Sequence, residues 1–376
     1  MRHLVVSRAV VMVASSIVLA ACGGSPTASP GADTAGLGGS SAATSRAAKT
    51  YARINALSGK ARTDELRKCA EQEGKLSVYT SNTDLDDLVK DFEDSVDVTV
   101  SVYRGNSESV LQRVLQEQKA QFYGNDVIET NALEMNVAQK EGYLSPYEGE
   151  LRDAVRKEGQ ADGWTADRFN VFVVGWNTNL VKPGQEPKTL EELADPKWKG
   201  KVSMEIGDVD WFTALYQHFL KQGKSEQEVA DLFQRIAANS KIAKGHTVQG
   251  ELLSAGQFAV TISSYSHTID KAAKEGAPVA WKPASGEPVQ PVVVRPNGIG
   301  LMKTARNPCA AMMFVDYVLT GGQKVLETKF RVGATQEAAK AIQGLDVVAV
   351  PEQELLDNSK KWDDLYAKVI QSGSQR

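Results

Sequence analysis

The sequence is poor in cysteine, in net charge and in the motifs that mark common enzymes. It has 376 residues, of which 3 are cysteine, and its formal net charge is only -4. So small a charge removes the electrostatic argument for a nucleic-acid partner. The motifs G-x-S-x-G and H-E-x-x-H do not occur, so the usual surroundings of a catalytic serine or zinc are missing. No period of roughly 20–50 residues recurs, which excludes repeat architectures.

The apolar run near the N-terminus is too short to span a bilayer comfortably. This run, Ala9–Ala21, follows basic residues, which is typical of a secretory signal. It ends in Leu19-Ala20-Ala21-Cys22, which looks like a bacterial lipobox whose cysteine receives a diacylglycerol. We predict a lipoprotein signal peptide over residues 1–21 and a lipid on Cys22, anchoring the protein to the cell membrane on its outer side. A free cysteine after a membrane helix is the alternative.

The segment after Cys22 has too few apolar residues to form a core. Ser25–Ala48 consists almost entirely of Gly, Ser, Ala, Thr and Pro, a composition that favours a flexible tether. We therefore predict a lipid-anchored flexible linker over residues 22–60. Beyond it only Cys69 and Cys309 remain, in a compartment where disulfides persist. They could pair or stay as free thiols, and the sequence leaves both open.

Strands and helices alternate from Lys75 onward. The predicted elements are the strand Leu76–Thr80, the helix Leu85–Phe92, the strand Val96–Tyr103, the helix Ser107–Gln121 and the strand Asp126–Thr130. This order predicts an α/β fold with a mostly parallel sheet and helices on both faces.

Two later strands indicate a second core. The apolar strand Arg168–Thr178 leaves the first core, and the strand after Pro291 is broken at Pro296-Asn297-Gly298, where the chain would return. We predict two lobes, each a mostly parallel sheet flanked by helices, joined by a hinge. The predicted ranges are 61–170 and 298–334 for lobe 1, and 171–297 and 335–376 for lobe 2.

The stretch Gly256–His267 predicts a binding site. Phe258–Ile262 shows no polar alternation, as in a strand covered on both faces, and five polar residues follow it. Ligands of open parallel sheets bind beyond the carboxyl ends of the strands, although hydroxyl-rich ends also serve as helix caps. The candidate ligand-binding residues of this lobe are Asp208, Asp210, Trp211, His246, Thr247, Ser264, Tyr265 and His267.

The first lobe has its own candidates at strand ends and helix starts, positions that face a cleft in this topology. They are Tyr79, Ser81, Asn82, Gly105, Asn106, Ser107 and Asn131. Helix N-termini favour an anion, whereas Asp208 and Asp210 beside Trp211 suit a cation. The two lobes together predict an amine-bearing or zwitterionic organic solute. The alternative for the second lobe is that Asp210 caps a helix and Trp211 packs in the core.

Six segments between about Leu76 and Val332 resemble one family in their order and spacing. They are KLSVYTS, YRGNSESVLQRV, DVIETN, DPKWKGKV, KGHTVQGELLSAGQ and NGIGLMKTARNPCAAMMFVDYVLTGGQ. They resemble the type II periplasmic binding proteins, in the branch that includes ferric-ion-binding proteins of ABC importers. The resemblance implies a two-lobed monomer that closes on one solute and hands it to an ABC permease. It implies no cofactor, and the expected hinge residues are Asn170, Pro296 and Ala334.

The chain departs from the ferric branch at the metal ligands. That branch uses adjacent tyrosines, a histidine and a glutamate, and only Tyr265 matches. The positions that correspond to the second tyrosine, the glutamate and the histidine carry Ser266, Asn131 and, near the first strand, Thr83 instead. One tyrosine with His246 and His267 makes a poor site for a hard trivalent cation. We therefore expect no metal. A ferric-ion protein with a non-standard site, using Tyr265 and His267, is the alternative.

A serine hydrolase is the remote alternative. Ser263, Ser264 and Ser266 lie near His267 in sequence, and a histidine can activate a serine. Because no nucleophile motif surrounds these serines, we predict that the protein is not an enzyme.

Overall fold

Helices and strands alternate through most of the chain, as the sequence predicts. The computed structural model describes residues 35–374, so the predicted signal peptide and Cys22 lie outside the described part. The strands in that part are β1 Lys75–Thr80, β2 Thr99–Arg104, β3 Val127–Asn131, β4 Leu144–Ser145, β5 Thr165–Asn177, β6 Val202–Glu205, β7 Ser240–Ala243, β8 Val260–Tyr265, β9 Val279–Ala280, β10 Val292–Met302, β11 Val332–Gly333 and β12 Val347–Ala349.

The helices surround these strands. They are α1 Ala35–Asn55, α2 Gly59–Glu73, α3 Leu85–Ser95, α4 Ser107–Lys119, α5 Ala132–Lys140, α6 Glu150–Asp153, α7 Val209–Lys221, α8 Glu226–Ala238, α9 His246–Ser254, α10 Ser266–Lys274, α11 Pro308–Val318, α12 Gly321–Thr328 and α13 Glu352–Ser374. Within residues 35–374, none of these helices combines the length and the hydropathy that a membrane crossing requires.

Two parallel groups of strands make up the sheet. β1, β2 and β3 pair in parallel at one side, and β6, β7 and β8 pair in parallel at the other. The overall order is β2-β1-β3-β10-β5-β8-β6-β7. The predicted α/β fold with two mostly parallel units is confirmed.

Two long antiparallel strands join the groups. β5 and β10 pair with each other and are buried along their whole length. The register shifts between Asn297 and Gly298, inside the break that the sequence predicts. A Cβ atom at Gly298 would lie 2.5 Å from Cε3 of Trp164, so the close packing of this bulge requires glycine.

Each group of strands has its own hydrophobic core. Phe92, Phe314 and their neighbours fill the core beside β1–β3, and Phe212, Phe233 and Trp362 fill the core beside β6–β8. The long helix α13 packs on α7 and α8 of the second core. Because both cores are well filled, the site between them is held by two separately packed units.

The prediction of a flexible linker over residues 22–60 is wrong for the part that the structure describes. Residues 35–55 form α1, and α2 begins at Gly59. Ala47, Tyr51 and Ile54 are buried, and the hydroxyl of Tyr51 donates to the carbonyl oxygen of Met302 at 3.0 Å. Their spacing of four and three residues forms one apolar helix face. That face packs on the first core, and the average composition of the segment concealed it.

Cys69 and Cys309 form a disulfide in the structure. It joins α2 to the first turn of α11, and the Glu73 carboxylate accepts a hydrogen bond from the backbone of Ala310 at 2.8 Å in the same place. Of the two alternatives that the sequence left open, the structure therefore has the paired one. The N-terminal helices are covalently tied to the first core.

A helix begins within the segment Lys244–Gln249. α9 begins at His246, preceded by Gly245 with a φ of 89°, a conformation that glycine adopts readily. His246 therefore stands in the first turn of a helix, and this fixes the direction of its ring.

Candidate functional site

Arg295 lies at the centre of the candidate site. It sits in the middle of β10, opposite Asn170 of β5. Its Nη1 donates to Oδ2 of Asp210 at 2.5 Å, and its Nη2 donates to the hydroxyl oxygen of Tyr265 at 2.5 Å. Burial alone would lower the pKa of Arg295, but Tyr265 and Asp210 raise it. One guanidinium thus orients a carboxylate from α7 and a phenol from β8.

Three rings form a stack beside Arg295, which we call the Tyr265 stack: His246, Tyr265 and His267. The ring centres of His246 and Tyr265 are 3.9 Å apart with a 14° interplanar angle, and those of Tyr265 and His267 are 5.3 Å apart. Phe172 of β5 meets the edge of Tyr265 at 5.0 Å. The stack is a flat aromatic wall with polar atoms at its rim.

Protonation in the Tyr265 stack follows from its surroundings. Burial, together with Arg331 and Arg168, holds the pKa of His267 well below its usual value, so its imidazole is neutral at neutral pH. Burial raises the pKa of Tyr265, although Arg295 opposes the rise, so the phenol keeps its proton. Nε2 of His246 lies 2.9 Å from Oδ1 of Asp208, in a contact that lacks the angle of an aligned hydrogen bond.

The first lobe contributes polar groups from the ends of β3 and the start of α4. Asn131 pairs in register with Asn297 of β10, two residues from Arg295, and its amide donates to the hydroxyl of Ser107 at 2.6 Å. Glu134, in the first turn of α5, is 9 % exposed. Its burial raises its pKa to about 7, and Arg295 works against that rise. The strand tips of the two lobes therefore meet around Arg295.

A second buried charge network closes the inner wall of the site. Glu129 accepts hydrogen bonds from Thr80 at 2.6 Å and from Asn82 at 3.1 Å, and it forms an ion pair with Arg168. Arg168 also pairs with its neighbour Asp167. These side chains are almost fully buried and joined by ion pairs and hydrogen bonds, so we assign them a structural role, although Oδ1 of Asp167 and Nε of Arg168 have no hydrogen-bond partner within residues 35–374.

Arg331 lies on the outer side of this wall. Its guanidinium forms an ion pair with Asp84 at 2.7 Å and donates to the hydroxyl of Thr83 at 3.0 Å. It follows α12 and directly precedes β11, which pairs with β5. Arg331 thus links the loop after β1 to the crossing strands.

Four predicted residues of the first lobe are used inside that lobe. The hydroxyl of Tyr79 donates to the Glu117 carboxylate at 3.0 Å, because alternation along β1 turns Tyr79 towards α4 while Thr80 faces Glu129. Asn82 is bound to Glu129, and Asn106 caps α4 by accepting from the backbone of Ser109 at 2.8 Å. Gly105 donates its backbone N–H to Thr80. Tyr79, Asn82 and Asn106 thus each have a hydrogen-bond partner within the first lobe, and their contact with a ligand stays a prediction.

The second lobe also needs corrections. Trp211 is 2 % exposed and packs edge-on against Phe233, so it belongs to the core, as the alternative stated. Asp208 and Asp210 do not face a cation freely, because His246 and Arg295 already pair with them. Thr247 is exposed in the first turn of α9.

Two predicted serines remain near the site. Ser264 is fully buried, and its hydroxyl has no hydrogen-bond partner within residues 35–374. Ser81 is partly exposed and is held by its backbone N–H, which donates to the carbonyl of Glu129 at 2.9 Å. Of the predicted set, Asp210 and Tyr265 contact Arg295 directly. His246 and His267 stack with Tyr265, and Asp208 lies beside His246. Asn131 lies opposite Asn297 of β10 and binds Ser107.

Sequence reasoning missed the charged residues of the site that come from outside the strand ends. These are Arg295, Glu134 and Glu352. Arg295 stands alone among apolar residues in VVVRP, and a charge within a buried strand is a signal of an ion pair. Glu134 and Glu352 open ordinary helices, where an acidic residue is expected for other reasons, so no local signal marks them.

The comparisons with known proteins place the chain in a family. The model of the bacterial extracellular solute-binding proteins matches residues 125–320, just over half of the chain. The chain belongs to this family of bacterial extracellular solute-binding proteins. Its members are binding proteins and not enzymes, and the family is extracytoplasmic. The resemblance found in the sequence is confirmed for the family and the fold.

Three of the individual proteins that the chain resembles each share less than a quarter of its aligned residues. The chain is 24% identical over 265 residues to "Iron uptake protein A1" of Synechocystis sp., covering 66% of this chain and 72% of that protein. Iron-bound HitA from Pseudomonas aeruginosa is 19% identical with a TM-score of 0.66, covering 78% of this chain and 99% of HitA. AfuA from Actinobacillus pleuropneumoniae, solved with fructose-6-phosphate bound, is 21% identical with a TM-score of 0.63, covering 79% of this chain and 99% of AfuA. These structures share the fold, and their ligands differ.

Proposed function

We propose that this protein is the solute-binding lipoprotein of an ABC importer. It captures a small amine-bearing or zwitterionic organic molecule between its lobes and delivers it to a permease. The lipid on Cys22 holds it outside the cytoplasmic membrane, and it acts as a monomer. One observation supports this above others: Arg295 joins Asp210 to Tyr265, while Asn131 of the first lobe lies opposite Asn297 of the same strand and Glu134 of that lobe lies near enough to Arg295 for the guanidinium to lower its pKa.

The groups around Arg295 suit a solute that carries both charges. Asn131 and Ser107 lie at the start of α5 and α4, where backbone N–H groups favour a carboxylate or a phosphate. The flat face of the Tyr265 stack supplies apolar area, and the carboxyl groups nearby suit an ammonium group. A solute with one charge would leave half of these groups without a partner.

Closure of the cleft would be a rotation about the crossing strands. We propose Asn170 in β5, Pro296 in β10 and Ala334 beyond β11 as the hinge residues, since each lies in a crossing near the lobe boundary. We keep the boundaries 61–170 with 298–334 and 171–297 with 335–376 as part of this proposal, and we add α1 to lobe 1 because it packs on that core. A few crossing residues can absorb such a rotation.

Tyr265→Phe tests the proposal. We expect the affinity for the solute, once found by screening small molecules for a rise in melting temperature, to fall about 10- to 100-fold. A hydrogen bond to a charged group contributes about 1.5–3 kcal/mol, and Arg295 loses this partner. Calorimetric titration measures the change.

Tyr79→Phe is the matched control, because it removes the same hydroxyl from a tyrosine that is bound to Glu117 away from the cleft. Affinity should stay within about twofold of wild type. Equal affinities for the wild type, Tyr265→Phe and Asp210→Asn would remove Arg295 and its partners from the site.

Ferric ion is the second candidate, because one curated relative is an iron uptake protein and HitA is iron-bound. Tyr265 and His267 would be the ligands. The Arg295 guanidinium counts against it, because it already donates to the Tyr265 hydroxyl oxygen and would repel a trivalent cation there.

Colour separates the two candidates. If iron is the cargo, titration with ferric nitrilotriacetate gives a visible tyrosinate band that Tyr265→Phe abolishes and Tyr79→Phe retains. We expect the wild type to stay colourless. A band with this dependence would instead assign iron as the cargo.

A further inference from the structure

The carboxyl groups of Glu134 and Glu352 are buried next to Arg295 and are poorly satisfied. Both oxygens of Glu352, and Oε2 of Glu134, are buried without a hydrogen-bond partner within the described chain. A buried carboxyl group without partners is costly. Two such groups beside a candidate binding site therefore indicate that its ligand carries hydrogen-bond donors.

The fold brings these two residues together from different lobes. β12 pairs with β10 so that Ala349 lies opposite Val294, and the N–H of Val350 donates to the carbonyl of Val294 at 3.0 Å. Glu352, the first residue of α13, therefore emerges just beyond Arg295. Further along the same edge of β10, β3 ends at Asn131 and leads into α5, which carries Glu134 and packs against α13.

A few charged groups, together with burial, determine the pKa values of Glu134 and Glu352. Burial raises the pKa of Glu352 to about 8, with Asp210 and Glu134 adding to the rise and Arg295 opposing it. For Glu134, whose pKa burial raises to about 7, Asp210 and Glu108 add to the rise. Three carboxyl groups thus surround one guanidinium, and Arg295 uses its Nη1 on Asp210 and its Nη2 on Tyr265.

We propose that Glu134 and Glu352 form the subsite that takes the protonated amine of the solute. Each lobe supplies one carboxylate, so the ammonium group bridges the lobes and completes the site only when they close. This assignment rests on the proposed function and moves the cation from Asp210, which Arg295 already binds, to two neighbouring carboxyl groups whose oxygens lack hydrogen-bond donors. The N–H groups of an ammonium ion supply the missing hydrogen-bond donors.

An organic ammonium fits this place better than a divalent metal ion. Mg²⁺ and Ca²⁺ need about six oxygen ligands, whereas Glu134 and Glu352 together offer three carboxylate oxygens without a hydrogen-bond partner. The Arg295 guanidinium, which is part of the same cluster, repels a divalent ion more than a monovalent one. The ammonium also needs both carboxyl groups ionised, so its binding releases protons near neutral pH.

Paired probes test the subsite by differing in the amine alone. The pairs are putrescine with 1,4-butanediol, 4-aminobutanoate with butanoate, and phosphoethanolamine with ethyl phosphate. The variants Glu134→Gln and Glu352→Gln keep the shape of the side chain, and Glu141→Gln, at the exposed end of α5, is the control. We expect amine members alone to raise the melting temperature of the wild type and of Glu141→Gln. Each site variant should weaken that binding at least tenfold. Calorimetric titration of the wild type in buffers that differ in ionisation enthalpy should show that binding releases protons.

The protein without solute gives a second readout. Both carboxyl groups have a folded pKa above their usual value of 4.5, so the folded state binds more protons than the unfolded chain between about pH 4.5 and pH 8. Stability must fall as pH rises through that window. Glu134→Gln and Glu352→Gln should therefore be more stable than the wild type at about pH 9, and Glu141→Gln should not be.

The outcomes separate the two proposals. A solute that binds the wild type and both site variants equally, with or without an amine, overturns the subsite and leaves solute capture intact. Absence of binding by any member of any pair overturns the subsite and counts against the proposed function as well. If Ca²⁺ or Mg²⁺ alone raises the melting temperature through Glu134 and Glu352, the pair is a metal site and the inference is wrong. Site variants less stable than the wild type at about pH 9 would show that the pair is structural.

Discussion

Arg295→Leu is expected to lower the free energy of unfolding by about 3–5 kcal/mol and to abolish solute binding. The substitution leaves Asp210 with a buried charge and no guanidinium, and loss of one partner of a buried ion pair has a cost of this size. It also removes the donor that orients the Tyr265 hydroxyl. Urea unfolding followed by circular dichroism measures the stability, and calorimetric titration measures the binding.

The double variant Arg295→Leu with Asp210→Asn distinguishes these two effects. Removing both charges relieves the uncompensated carboxylate, so most of the lost stability should return while binding stays absent. Arg295→Lys should have a stability and a solute affinity between those of the wild type and of Arg295→Leu. One ammonium group keeps the charge, but it cannot hold Asp210 and Tyr265 in the geometry of a planar guanidinium. A change below about 1 kcal/mol in Arg295→Leu would mean that the ion pair contributes little to the fold.

Loss of the Cys69–Cys309 disulfide should lower stability by about 2–5 kcal/mol. The two cysteines are 240 residues apart in sequence, so the bond restricts a very large loop in the unfolded chain, and long loops give effects at the upper end of this range. The double variant Cys69→Ala with Cys309→Ala, unfolded in urea, tests this expectation.

Reductant provides the control. Dithiothreitol should lower the stability of the wild type to that of the double variant and leave the double variant unchanged. Solute affinity should be the same in all cases, because α2 and α11 lie in the first core away from Arg295. If reductant has no effect on the wild type, the cysteines are not paired in solution.

The order of elements could be read from the sequence because it depends on local pattern. The strand at Leu76–Thr80 and the helix from Ser107 match β1 and α4 closely, since alternation and capping residues act over a few positions. The same reasoning failed at α1. The composition of Ser25–Ala48 is typical of a linker, and Tyr51 and Ile54, which are buried on one face of α1, lie beyond that segment.

The candidate site could be predicted only where a strand end marked it. Tyr265, His267, Asn131 and Ser107 follow strands or begin helices, and the fold gathers them. Tyr79 met the same criterion but binds Glu117 within its own lobe, since the side of β1 that it occupies depends on α4 packing there. Glu352 could not be found, because nothing near it in sequence relates it to Arg295.

The sequence by itself determined the family, the alternation of strands and helices, and the bulge at Asn297-Gly298, because these depend on short patterns and on glycine at a crowded position. The tertiary structure alone decided which charges meet. Arg295 reaches Asp210 across 85 positions and Tyr265 across 30, and Glu134 joins them from the other lobe. Such pairings arise from how β3, β8, β10 and β12 lie side by side, and no local pattern encodes that arrangement.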